Sequence, residues 1–168
     1  MNPAQSDTRA DHAGRHAARL AAVQALYQME QAGADAEAVI EEFVEHRFTL
    51  PADLPVGAPD ENFFADLVRG VPRHQVEIDR AVAASLSTDW KLQRIDSILR
   101  AILRAAAYEL IGRKDVPAKV VIDEYLGIAH AFFDGDEPGF VNAVLDRLAH
   151  RKRAPEFGEA PPDGELEF

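Results

Sequence analysis

Cysteine is absent from this sequence, which excludes disulfide frameworks and thiolate metal sites and gives no sign of an oxidising compartment. Long apolar runs are absent too: none approaches the roughly 18 to 20 residues that a membrane span requires. The N-terminus, MNPAQSDTRADHAGRH, lacks the apolar core of a signal peptide, so the expected location is cytoplasmic, with no membrane partner. There is no GxSxG, no GxxxxGK followed by Ser or Thr, and no GxGxxG, so a nucleophile elbow, a phosphate-binding loop and a dinucleotide-binding turn have no support. The expectation is a protein that is not an enzyme and carries no cofactor.

Metal sites fare no better. His12 and His16 are four apart and could share a helix face, but no third ligand is evident. DGDEPG from Asp134 resembles part of a calcium loop, yet Phe140 and Val141 fall where later oxygen ligands should sit, and a capped turn is the simpler reading.

Alternating β-branched runs bounded by turn residues are also missing, whereas period-3.6 patterning fills almost every segment. The pattern predicts an all-α protein of six or seven helices, arranged in two layers or a pair of small bundles. With 168 residues, 47% of them hydrophobic, the chain can bury one core or two small ones.

The first helix is expected over about 9–32, with Leu20, Val23 and Tyr27 on one stripe and Gly33 as its stop. Asp35 is placed to cap a second, with Ile40, Phe43, Val44 and Phe48 inward. LPADLPVGAP, residues 50–59, is a loop. A helix from DENFFADLVRG follows, and Pro72 either kinks it or opens the next. STDWKLQ is a connector before the most central helix, 94–111, which Gly112 ends. Pro117 suits the first turn of another helix, with Ile122, Tyr125, Leu126, Ala129 and Phe133 inward. The last helix carries Phe140, Val141, Val144, Leu145 and Leu148. The working domain is residues 1–153, with 1–8 and the acidic tail 154–168 expected to be disordered.

Charge is unevenly spread. The net charge is −11; residues 33–66 hold nine acids against Arg47 alone, and 154–168 hold five acids and no base. A repelling field opposes phosphate approach over much of such a surface, so any nucleic-acid site must be local. Glu37, Glu41 and Glu45 form an acidic stripe, read as a solvated face or as a dock for a basic protein.

One basic stripe stands out. His12, Arg15, His16 and Arg19 fall within about 100° of helical arc. Cations in the first turns of a helix oppose its dipole, so something else should favour them, and a bound phosphate would. Tyr27, two turns beyond Arg19, could offer a ring to a splayed RNA base. The plainer alternative is a loose N-terminal tail with Tyr27 in the core.

Several stretches taken in order resemble the NusB family of transcription antitermination factors: RHAARLAAVQALYQ, FFADLVRGVPRHQVEID, DWKLQRIDSILRAILRAAAYEL, DVPAKVVIDEYLGIAHAFF and FVNAVLDRLA. The resemblance runs from about residue 15 to 149. It implies about seven helices in two small bundles, no catalysis, and binding of single-stranded boxA RNA in ribosomal transcripts together with the ribosomal protein NusE, within an antitermination complex with RNA polymerase. It also implies roles for residues. Arg15, His16 and Arg19 match the arginine-rich start of the family's first helix, Tyr27 its RNA-facing aromatic position, Asp136 an acidic residue beside the RNA, and Phe140 the start of the FVN motif.

Departures from the family pattern set limits. AGRHAAR offers two arginines where several in a row are common, and Gly139 stands where a basic side chain is frequent, which implies weak RNA affinity without a partner and a shallow salt dependence. HRKR at 150–153 beside five acids suggests that the tail folds over basic surface and competes with RNA. Two rival readings stay open: a purely protein-binding scaffold, and an accessory domain of an RNA methyltransferase, which would need a methyl-donor domain. Self-association into a homodimer is also left open.

Overall fold

The computed structural model of the chain describes residues 3–48 and 58–160, so most of the proline-rich loop 50–59 and the tail from 161 lie outside the described residues. Seven α-helices and no strand occur among the described residues, in accord with the all-α expectation: α1 Pro3–Ala32, α2 Ala36–Glu42, α3 Glu61–Arg73, α4 Gln75–Ser85, α5 Ser97–Gly112, α6 Ala118–Phe132 and α7 Glu137–Lys152. None is long and apolar enough to cross a membrane. Two compact units divide the chain, Met1–Pro72 and Arg73–Phe168.

In the first unit, α1 begins at Pro3, well before residue 9, and stops at Gly33, whose φ of +66° lets its N–H reach Met29 O at 2.8 Å. Its buried stripe is small: Ala18, Ala22, Val23, Ala25 and Leu26 face the core, while Leu20 is half-buried and Tyr27 is 39% exposed. Asp35 stands at the N-cap of α2 as expected, but its carboxylate makes no capping bond.

A single wide π turn, Phe43–Arg47, then extends α2. Phe43 and Phe48 would diverge by about 140° on an α-helix. With Phe48 N–H donating to Phe43 O at 2.9 Å, the i→i+5 turn swings them to one side, where their rings lie 5.3 and 5.0 Å from Phe64. Phe43 and Phe64 are buried there, and Phe48 is half-buried against them.

Pro72 neither kinks α3 midway nor opens α4. It sits in the last turn of α3, where its missing N–H costs one helical bond, and the next helix starts at Gln75 after His74 leaves helical geometry (φ −113°, ψ 22°).

In the second unit, α5 is buried nearly all round, from Leu99 to Ile111, as expected of a central helix. It starts at Ser97 rather than 94 because Leu92–Arg94 form a separate 3-10 turn, and Asp96 caps it by accepting from Ile98 N at 2.8 Å and Leu99 N at 3.3 Å. Gly112 is its last residue and Arg113 the cap. Pro117 is the N-cap of α6, just outside the helix rather than in its first turn. Inside, Tyr125 Oη donates to the buried Glu109 carboxylate at 2.5 Å, and Arg104 grips Asp79 with two bonds of 2.8 and 2.9 Å.

The expected disorder from residue 154 does not extend over 154–160. Ala154–Phe157 form a 3-10 turn, and Arg153, only 4% exposed, donates to the carbonyls of Glu109, Leu110, Arg113 and Val116 and to the Glu156 carboxylate. Those carbonyls belong to the last turn of α5 and the loop after it, where Glu109 O and Arg113 O also accept the backbone N–H groups of Arg113 and Val116. Arg153 of the HRKR run is therefore an internal cap, and not part of a basic surface.

Candidate nucleic-acid interface

In the first unit, the basic stripe is built around Phe63. Chain 58–60 lies against α1 because Gly14 has no side chain: Asp60 N–H donates to Gly14 O at 3.0 Å, and a Cβ on Gly14 would come within 3.2 Å of Ala58 O. Asp60 in turn accepts from Phe63 N at 3.0 Å and fixes the start of α3. The Phe63 ring then lies under two guanidinium groups, with Arg15 Cζ 4.7 Å and Arg19 Cζ 4.9 Å from its centroid.

Arg15 lies more than three turns inside α1, so the dipole penalty and the free N–H groups of a helix start do not apply to it. The cations are favoured by an aromatic face instead. Arg19 is 2% exposed and packed on Phe63, where its guanidinium braces the ring beside Arg15. Arg15 and His16 remain half-buried, and His12 and Tyr27 are exposed. The acidic stripe is partly neutralised: Glu37 accepts two bonds from Arg69, at 2.6 and 2.9 Å, which hold the Arg69 pKa above its ordinary value.

In the second unit, Asp136 is exposed and forms the N-cap of α7 through its backbone, its carboxylate making no capping bond. Phe140, one turn on, is half-buried, and its ring leans on Trp90 with centroids 5.4 Å apart and planes at 50°. Gly139 is exposed beside open space. The sequence pattern places Trp90 in a connector without a role; the signal it carries is a lone tryptophan among Ser, Thr, Asp and Lys.

Among the described residues no three His, Asp or Glu side chains converge on a metal-sized site. Taken separately, the first unit presents half-buried Arg15 and His16 and an exposed Tyr27, and the second an exposed Trp90 followed by Lys91, groups of the kind that bind an unpaired, phosphate-linked ligand.

The sequence profile of the NusB family matches residues 16–150. A transcription antitermination protein NusB of Maricaulis maris is 54% identical over 144 residues, covering 85% of this chain and 90% of the relative. A crystal form of NusB from T. maritima superposes with a TM-score of 0.71 at 30% identity, covering 86% of this chain and 96% of that one. A chain from a crystal structure of antitermination factors NusB and NusE in complex with double-stranded RNA superposes at 0.67 with 26% identity, covering 80% and 95%.

Proposed function

The chain belongs to the NusB family, and from that premise we propose that it is a transcription antitermination factor that binds single-stranded boxA RNA of ribosomal transcripts together with NusE. In this reading it helps RNA polymerase read through terminators and works in the cytoplasm as a binding protein without catalytic groups. The observation that carries it is the fold shared with a NusB chain crystallised with NusE and RNA.

Arg15 is the main phosphate contact, with His16 beside it on the same face of α1. Tyr27 supplies an exposed ring. Asp136 accepts from base or ribose donors, and Phe140 lies beside the RNA. Few fixed cations imply modest affinity for RNA alone, with NusE supplying the rest. The salt slope should be shallow, about −0.7 in log K per neutralised phosphate of a single strand.

The test is binding of labelled boxA RNA with and without NusE across a salt series. Affinity that rises with NusE and falls when Arg15→Ala is introduced supports the reading. NusE binding with scrambled RNA held equally well, regardless of Arg15, would leave a protein scaffold in its place.

A further inference from the structure

Resting on the RNA reading above, we propose that Trp90, braced by Phe140, is a stacking platform for one unpaired base of the bound RNA. Trp90 is 52% exposed, an unusual state for the largest side chain in the sequence. Packing does not require it there: Leu92 and Ile95 are the buried anchors of the α4–α5 connector. The indole is presented outward by a segment secured on both sides of it.

That segment is rigid for specific reasons. Trp90 N–H donates to Ser87 O at 3.0 Å, which closes a turn. Arg100 donates to the carbonyls of Leu92 at 3.1 Å and Ile95 at 2.8 Å, pinning the 3-10 turn that follows. Arg147 on α7 donates to Ser85 O at 2.7 Å, which fixes the end of α4 just before it. A ring held this way loses little freedom when a ligand stacks on it, so more of the stacking energy appears as affinity.

Charge and shape both favour RNA over a protein groove. Around Trp90, residues 87–94 expose Ser87, Thr88, Asp89, Lys91, Gln93 and Arg94, two cations against one acid, and no other apolar side chain of that segment is exposed. A partner helix would need a stripe of several apolar contacts. A flat base needs one ring and neighbouring cations for its phosphates. Asp136 and Glu137 flank the Phe140 side and repel phosphate from it, which directs the RNA backbone along Lys91 and Arg94.

Trp90 is the only tryptophan in the chain, so its emission reports on this site alone. The experiment titrates a fluorescein-labelled boxA RNA into the full chain with NusE bound, reading label anisotropy for binding and Trp90 emission, corrected for NusE, for stacking. Quenching that tracks the anisotropy, a roughly tenfold loss of affinity in Trp90→Ala with unchanged helical circular dichroism, and near-complete retention in Trp90→Phe are expected. Normal anisotropy with unquenched emission and a Trp90→Ala variant that binds like wild type would overturn the platform and leave the RNA reading intact. An emission change on adding NusE that RNA does not alter would put a protein on the ring and overturn it as well. Absence of any anisotropy change in the wild type would overturn the RNA reading itself.

Discussion

Arg153 Nη1 donates to Glu156 Oε2 at 2.6 Å, while the other oxygen of the same carboxylate accepts the backbone N–H of Ala118 at 2.9 Å. One ion pair thus joins the end of α7 to the first residue of α6, and the rest of the Arg153 guanidinium closes the carbonyl end of α5. Three helices of the second unit meet at one side chain.

Replacing Arg153 by Ala leaves four carbonyls and a carboxylate without this donor, in a position nearly closed to water. A loss of about 2–4 kcal/mol in unfolding free energy is expected by urea titration. Arg153→Lys should recover little of it, because an ammonium cannot span acceptors that a planar five-donor group reaches together.

Stability should also fall in acid through Glu156. Burial pushes its carboxyl pKa up, but the Ala118 N–H and the bond and charge of Arg153 together outweigh that, and the net direction is down. A depressed carboxylate pKa contributes stability that is present above the unfolded value of about 4.3 and is lost as pH falls through the lower folded value. Urea midpoints measured from neutral pH to about pH 3 should show a steeper acid decline in wild type than in Glu156→Gln, which starts lower and stays flatter. Equal slopes would mean the pair is silent.

Arg15 and Arg19 should separate cleanly. Arg15→Ala is expected to weaken RNA binding and make the salt slope shallower by about 0.7, with little change in melting temperature. Arg19→Ala is expected to cost about 1–3 kcal/mol of stability in the first unit, since it uncovers Phe63 and removes a buried, packed side chain. RNA titrations and thermal melts on both variants decide it, and a stable Arg19→Ala with lost RNA affinity would reverse the two assignments.

Truncation of the tail tests two different contacts. Removing 154–168 deletes Glu156 and Phe157, whose ring stacks on His150 at 4.0 Å, so it should destabilise the second unit. Removing only 161–168 takes away three acids while sparing both contacts. The competition idea is then tested at low salt by whether the shorter truncation tightens RNA binding without lowering the urea midpoint.

Helices were legible wherever an apolar stripe ended in a backbone signal. Gly33 stopped α1 as expected, and α5 announced its centrality through Ile102, Leu103, Ala106 and Leu110. The register of α1 was less legible, because its buried face is mostly alanine and the larger Tyr27 drew the stripe toward the wrong side. Buried arginines were not legible: Arg19 and Arg153 read as surface charge, since burial of a guanidinium depends on acceptors supplied from distant sequence or, for Arg19, on a ring from α3. The π turn escaped for a related reason, because Phe43 and Phe48 need Phe64 to make its geometry worthwhile.

The Arg153 cap also orders events during synthesis. Its acceptors on Glu109, Leu110, Arg113 and Val116 leave the ribosome about forty residues earlier, and at roughly 5–20 residues per second they wait some seconds for their donor. Over that interval the carbonyl end of α5 lacks the donor that closes it in the folded unit.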